Sequence, residues 1–211
     1  MKKLNYEINE TPIILDKKLW VKSGHWEHYK NNMYFTKIDG RDFIIKPMNC
    51  PGNILIFKSN RHSYKDLPIK AGEFGLVHRN ELSGVLSELF RVRVFTQDDA
   101  HIFCTQEQIE EQIAELIGLV DKIYSTFGFK YYIELSTQPK NSMGDKKIWD
   151  VAEKSLETAL KNKGLEFKIN KGDGAFYGPK IDFHIKDSMD RNWQCGTIQL
   201  DFLMPENFDL S

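Results

Sequence analysis

The chain has 211 residues, with 29 lysines and arginines against 30 aspartates and glutamates, a net charge of −1, and 41% hydrophobic residues. This is the balance of a soluble globular protein; it argues against a general polyanion binder while leaving room for a local basic groove. No apolar run reaches membrane-spanning length, which excludes a transmembrane protein, and Met1-Lys2-Lys3-Leu4-Asn5-Tyr6 lacks the apolar stretch of a secretory signal. Three cysteines far apart, Cys50, Cys104 and Cys195, do not make a disulfide framework, so a reducing cytoplasm is the expected compartment.

The first element spans Leu19 to Tyr29, where Ser23-Gly24 interrupts the pattern and predicts a short helix followed by a turn. Phe43-Ile44-Ile45, between Gly40 and Pro47, reads as a strand over 41–46. Pro51-Gly52 opens a helix through Phe57, because proline suits a first helical turn. Glu73 to Glu81 and Leu89 to Phe95 read as two strands joined around Ser83-Gly84. Thr105 to Phe127 is the strongest helix, with Thr105 as N-cap and Gln108 completing a capping box. Its apolar stripe runs through Ile109, Ile113, Leu116, Ile117, Val120 and Ile123, and Gly128 ends it. A strand over 131–136 and a helix over 149–162 follow. Strands over 167–170, 181–185 and 193–202 complete the chain. The order of elements favours an α+β fold around an antiparallel sheet.

Strand parity groups the residues that carry chemistry. Side chains repeat every second residue, so Arg79 and Glu81 share a face, as do Arg91 and Arg93, with Gln97, Asp99 and His101 continuing along the second strand. Near the C-terminus, Gln194, Gly196 and Ile198 share one face of a regular strand and Cys195, Thr197 and Gln199 the other. Two arginines on one surface suit a polyphosphate; a solvated face with cross-strand ion pairs explains the same spacing. Cys50 and His101 are zinc-type donors, but no CxxC or HxxxH lies nearby. His25, between Gly24 and Trp26, suits a general base or a structural histidine. GxxxxGKS and GxGxxG are both absent. The glycine-rich stretch 172–179 reads as a loop in tight approach to something.

Glu73-Phe74-Gly75 followed by His78-Arg79-Asn80-Glu81 resembles motif 2 of the class II aminoacyl-tRNA synthetases. Five further stretches resemble the threonyl-tRNA synthetase family: Ser23-Gly24-His25-Trp26, Ile45-Lys46-Pro47-Met48-Asn49-Cys50-Pro51-Gly52, Phe95-Thr96-Gln97-Asp98-Asp99-Ala100-His101, Phe176-Tyr177-Gly178-Pro179-Lys180-Ile181-Asp182 and Trp193-Gln194-Cys195-Gly196-Thr197-Ile198-Gln199. The resemblance implies a class II catalytic domain: an antiparallel β-sheet flanked by helices that binds ATP with Mg2+, threonine and tRNA(Thr). It implies threonine--tRNA ligase activity and a homodimer in the intact enzyme. By it, Arg79 holds the α-phosphate and the threonine carboxylate, Glu81 and Arg91 bind ATP, and Phe95 stacks on adenine. Gln194, Thr197 and Gln199 line the nucleotide pocket. Met48, Gln97, Asp99 and Tyr177 contact threonine, and Lys180 lies near the reaction centre. Cys50 and His101 become two ligands of a Zn2+ that grips the threonine amino group and hydroxyl, rejecting valine. His25 resembles a histidine linked to the terminal ribose of tRNA.

The resemblance also sets expectations about extent: residues 1–211 form one partial catalytic domain, with editing and anticodon-binding domains absent. The third zinc ligand, a histidine, and the arginine of motif 3 are expected beyond Leu210-Ser211. The long helix of motif 1 is missing, although Pro12 looks like that motif's proline. Ser87-Glu88 stands where the family usually has His-Gly, and Val94 where it has Gly, so Val94 is expected to crowd the nucleotide. The leading expectation is a synthetase catalytic core. The alternatives are a non-catalytic module binding threonine, nucleotide or tRNA, and a scaffold without either.

Overall fold

The computed structural model describes residues 4–210; Met1 to Lys3 and Ser211, on which parts of the terminal readings fall, lie outside the described residues. The chain forms two compact units, one of Met1–Thr105 with Asn207–Ser211 and one of Gln106–Glu206.

In the first unit, β1 (Glu7–Ile8) leads to β2 (Ile14–Asp16), and the Asp16 carboxylate caps α1 (Lys17–Lys22) by accepting from Lys18 N–H. Ser23 and Gly24, the latter at φ +79, break the predicted first helix into α1 and α2 (His25–His28). β3 (Tyr34–Ile38) and β4 (Arg41–Ile45) form a hairpin to which β2 adds, an antiparallel sheet of order β2-β4-β3. Trp20, Met33 and Ile44 are buried together at its heart, with Leu15, Leu19, Trp26, Tyr29 and Met48 packed around them. Next come α3 (Cys50–Ser59), with Pro51 in its first turn, and the long antiparallel pair β5 (Ile69–His78) and β6 (Val94–Phe103).

In the second unit, α4 (Ile109–Thr126) buries Ile109, Ile113 and Ile117, and Ile123 of the predicted stripe is exposed. A four-stranded sheet follows, built from β7 (Tyr131–Ser136) and, after α5 (Lys146–Asn162), β8 (Phe167–Asn170), β9 (Lys180–Lys186) and β10 (Asn192–Gln199), in the order β10-β9-β7-β8. α6 (Leu203–Asn207) is the last element, and its final residue belongs to the first unit. Ile133, Leu135, Ile181 and Phe183 share the apolar face of the sheet, where Tyr124 of α4 meets Tyr131 edge to face.

The architecture is α+β with antiparallel pairing dominant, as expected; β1–β5 and β7–β8 are parallel pairs. Several boundaries differ. β5 ends at His78 and β6 starts at Val94, so residues 79–93 are loop rather than two strand ends. α4 begins after a three-ten turn at Gln106–Gln108, so Thr105 lies a turn too early to cap it, and Gln108 makes no side-chain cap bond. The last strand stops at Gln199, where Asp201 accepts from the N–H groups of Leu203 and Met204 and starts α6.

Candidate active site

Two polar faces, one in each unit, carry the predicted site residues. In the first unit the register pairs Glu73 with Asp99, Gly75 with Gln97, Ala71 with His101 and Val77 with Phe95. Paired residues of an antiparallel ladder share a face, so Phe95, Gln97, Asp99 and His101 stand in one row. Val94, Thr96, Asp98 and Ala100 are exposed on the other side. Val94 therefore projects from the side of β6 opposite Phe95.

α3 runs across the row. Asn49, just before it, donates through Nδ2 to Asp99 Oδ2 at 2.9 Å, and Phe57 near its end stacks on Phe103 with ring centroids 4.1 Å apart. The approach of Asn49 requires Gly75: a Cβ there would overlap the Asn49 carboxamide. Cys50 follows Asn49 directly. His101 is two residues from Asp99, and its Nδ1 is buried with no hydrogen-bond partner among the described residues.

Beneath the row lies an enclosed ion pair. Lys46 Nζ donates to Glu73 Oε1 at 2.8 Å, both side chains being 2% exposed. The Thr11 N–H and hydroxyl donate to the same oxygen, and Asn53 donates to Glu73 Oε2 at 2.7 Å. Burial pushes the Glu73 carboxyl up, but the Lys46 ammonium and the Thr11 donors outweigh it and hold the group below its ordinary value. Four donors thus fix the strand side chain opposite Asp99.

Arg79 lies one residue past β5. Its Nε donates to the Pro47 carbonyl at 3.1 Å and its guanidinium carbon sits 5.1 Å from the Phe95 ring centre. Glu81 and Arg91 pair at 3.5 Å, Arg91 being the exposed partner. Arg93 does not join Arg91; its Nε turns back to the Glu81 carbonyl at 3.0 Å. The predicted shared strand faces for Arg79 with Glu81 and Arg91 with Arg93 are corrected: these residues occupy the loop, held by Arg79 N–H to Arg93 O and Glu81 N–H to Arg79 O. Glu88 in this loop adopts φ +44, a left-handed conformation natural to the glycine usual there. Tyr29 was not foreseen. Burial pushes its phenol up, Arg79 and Arg91 pull it down, and Glu81 pushes it up, which puts it in the field of all three.

Two predicted residues stand apart from the row. Met48 packs on the Trp20 cluster. His25 is fully buried, with Nδ1 2.7 Å from Ser23 Oγ and its ring edge-on to Trp20. Burial, and then the charge of His28, lower its pKa to about 3.

In the second unit, Lys180, Asp182 and His184 of β9 lie opposite Ser136, Glu134 and Tyr132 of β7 and form the polar face. The sequence put Gln194 on the opposite face of β10 from Thr197 and Gln199. A β-bulge between Gln194 and Gly196 leaves Cys195 unpaired, so Gln194 pairs with His184, Thr197 with Asp182 and Gln199 with Lys180. All three polar residues thus share the polar face, and Gly196 and Ile198 turn inward. Gln194 Nε2 lies 2.9 Å from Thr197 Oγ1. Tyr177 donates its hydroxyl to Gln199 Oε1. The glycine-rich loop makes the tight approach its composition suggested: a Cβ at Gly178 would overlap the Leu200 carbonyl oxygen. Lys180 Nζ bridges Asp182 at 2.8 Å and Asp173 at 3.3 Å.

The chemistry on offer is specific in kind. The first face combines a guanidinium over an aromatic ring with a carboxylate and an amide, groups that suit a phosphate beside a flat base and a small polar molecule. Cys50 and His101 match zinc in donor type, but no group of three metal-binding side chains occurs among the described residues, and a catalytic zinc takes three protein ligands. The donors present do not by themselves fit a zinc site. No helix among the described residues is long and apolar enough to cross a membrane.

Residues 34–211 match the family model of the tRNA synthetase class II core domain (G, H, P, S and T). The chain is 63% identical to a threonine--tRNA ligase of Clostridium tetani, over 99% of this chain and 33% of that protein. It is 64% identical to the same enzyme of Finegoldia magna, over 96% of this chain and 32% of that protein. A crystal structure titled as the RNA binding domain of threonyl-tRNA synthetase from Cryptosporidium parvum superposes with a TM-score of 0.95 at 46% identity, covering 99% of this chain and 52% of that one. The chain thus spans about a third of the length of the curated relatives it matches. With the motif 2 arginine beside Phe95 on an antiparallel hairpin and a family match across most of its length, the chain belongs to the class II tRNA synthetase core-domain family and is similar to its threonyl members.

Proposed function

We propose that the chain carries the aminoacylation core of a threonine--tRNA ligase, a single partial catalytic domain that works with ATP and Mg2+, threonine and tRNA(Thr) in the cytoplasm as part of a homodimer. The threonine carboxylate attacks the α-phosphorus of ATP and pyrophosphate leaves; a ribose hydroxyl of the tRNA end then attacks the adenylate carbonyl and AMP leaves. One observation supports this reading above the others: Arg79 lies over Phe95 at the end of the row Gln97, Asp99, His101. Arg79 neutralises charge on the α-phosphate as the new bond forms, Phe95 stacks on adenine, and Glu81, held close to Arg91, positions the nucleotide. Asp99, oriented by Asn49, accepts from the threonine hydroxyl beside Gln97, and Met48 enters as a threonine contact by resemblance alone. Tyr177, Gln194, Thr197 and Gln199 contribute amide and hydroxyl groups, and Lys180 a cation. His25 enters as the residue linked to the tRNA ribose by resemblance alone, since its side chain is enclosed. Zn2+ remains part of the proposal only as a metal for which Cys50 and His101 supply two donors, and no step here runs through it.

Threonine-dependent ATP–pyrophosphate exchange, together with calorimetric titration of ATP·Mg2+ and of threonine, tests the reading. Arg79→Ala should cost roughly a hundredfold or more in exchange, and Asp99→Ala should weaken threonine far more than ATP. Exchange retained within a few-fold in Arg79→Ala would refute it. Ligand binding without exchange would favour the non-catalytic module.

A further inference from the structure

The polar face of the second unit is centred on Asp182, which ends one of the family-like stretches and carries none of the roles the resemblance implies. Asp182, on β9, is 1% exposed, and its two oxygens accept from four side chains. Oδ2 accepts from the Ser136 hydroxyl at 2.6 Å and from Lys180 Nζ at 2.8 Å. Oδ1 accepts from Gln194 Nε2 at 2.6 Å and from the Thr197 hydroxyl at 3.4 Å. An ionised carboxylate is acceptor-only and offers about four lone-pair sites, so this set of partners saturates it and leaves nothing for a ligand. Three of the four partners, Lys180, Gln194 and Thr197, are residues to which the proposed function gives direct contacts.

We propose that Asp182 is a positioning residue that orients Lys180, Gln194 and Thr197 toward the nucleotide and the amino acid. The inference rests on the proposed function for the identity of the ligands; the orientation itself follows from the bonds. Gln194 spends both amide hydrogens inside the network, one on Asp182 and one on Thr197, so its carbonyl Oε1 is the atom left for a ligand, as an acceptor. Thr197 gives its only hydrogen to Asp182. Lys180 is anchored through Asp182 with its side chain 11% exposed, which fixes where its positive charge sits. The β-bulge at Cys195 is what makes the arrangement possible, because in a regular strand, with Cys195 paired, Gln194 would fall on the face opposite Thr197. Asp182 therefore acts on ligands only through its neighbours.

The test pairs Asp182→Asn with Gln194→Ala, singly and together, in the whole chain. Asparagine keeps the size of the side chain but puts an amide donor against a set of donors. Near-ultraviolet circular dichroism reports whether each variant folds, and Asp182→Glu serves as a second probe if Asp182→Asn does not. In nitrogen-15 spectra the Gln194 side-chain amide protons should be protected in the wild type and lose that protection in Asp182→Asn while the backbone spectrum of α4 and α5 is retained. In calorimetric titration with ATP·Mg2+ each single variant should bind at least about tenfold more weakly, the scale of a hydrogen bond to a charged group. The double variant should be no weaker than the worse single, because both act at one point. Independent, additive losses, or an unprotected Gln194 amide in the wild type, would overturn the inference. Arg79→Ala separates the two levels: if it leaves ATP binding unchanged the proposed function fails, whereas loss in Arg79→Ala with additive Asp182 and Gln194 effects refutes this inference alone.

Discussion

Each unit is organised around a lysine bonded to a strand carboxylate, and the two clusters are built for opposite ends. Lys46 and Glu73 are sealed at 2% exposure, with Thr11 and Asn53 filling the remaining bonds of the carboxylate. They join the segment before β2, the β4 end, α3 and β5. Lys180 and Asp182 make a bond of the same length, but Gln194, Thr197 and Gln199 around them are exposed on an edge strand. The sealed cluster spends every polar group on holding the hairpin in place. The open one spends its carboxylate on aiming groups outward. A buried ion pair is a weak source of net stability but is costly to break one-sidedly, so the sealed cluster should register damage as loss of fold and the open one as loss of ligand binding.

The largest expected effect is therefore Glu73→Ala. It leaves the Lys46 ammonium buried without its partner and should cost about 3–5 kcal/mol, read as a fall in the urea midpoint and as loss of amide protection across β5 and β6. A loss below about 1 kcal/mol would mean that the cluster is open to water and the contrast is false.

The second prediction concerns acid. His25 titrates at about 3 when folded against 6.5 ordinarily, so the unfolded chain binds the proton more readily. The stability this neutral side chain allows is complete above pH 6.5 and is lost as the pH falls toward 3. Between pH 6.5 and 4.5 the loss should approach about 2–3 kcal/mol, at 1.36 kcal/mol per unit. His25→Asn, which can still meet Ser23, should flatten the slope in that window. Glu73 adds a lower limb: its folded value is depressed, so its contribution holds above its ordinary 4.5 and fades below it. Equal slopes for wild type and His25→Asn would remove His25 from the sealed interior.

Gly75→Ala comes third. The added methyl group meets the Asn49 carboxamide, and overpacking of this kind costs about 1–3 kcal/mol. Because Asn49 orients Asp99, threonine binding should weaken more than ATP binding. Unchanged threonine affinity would show that Asn49 is not what aims Asp99.

The smallest effect on stability should come from Lys180→Met. Asp182 keeps its bonds from Ser136, Gln194 and Thr197, and the cost should be about 1.5 kcal/mol, the low end for a hydrogen bond to a charged group, while exchange activity drops. Thermal melts beside pyrophosphate exchange make the comparison. A stability loss as large as that of Glu73→Ala would erase the distinction between the two clusters.

What the sequence revealed follows the regularity of the backbone. The row Phe95, Gln97, Asp99, His101 could be counted because β6 is uninterrupted, and Tyr131–Ser136 could be bounded because its turns are marked by Gly128 and by the polar run after it. Gln194 went to the wrong face because a period of two cannot register an extra residue, and Arg93 did so because the loop backbone, not a strand, sets its direction. The two lysine–carboxylate clusters escaped for a different reason. Lys46 and Glu73 lie 27 positions apart, and their pairing is created by tertiary structure. One signal was available: Asp182 sits between Ile181 and Phe183 in a strand that must be buried, and a carboxylate there requires donors.

The bulge in β10 also decides how this strand tolerates changes in length. Cys195 pairs with nothing across the ladder, so it is the position where one residue could be excised while Gln194, Thr197 and Gln199 stay on one side and Gly196 and Ile198 on the other. Removing residue 197 or 198 has no such compensation, because it shifts every side chain between the cut and the bulge onto the wrong surface, and removing Gly196 would seat the Cys195 side chain where a Cβ meets the Tyr124 hydroxyl. Over evolutionary time or in the hands of an engineer, β10 should accept shortening at a single point, and that point is a thiol.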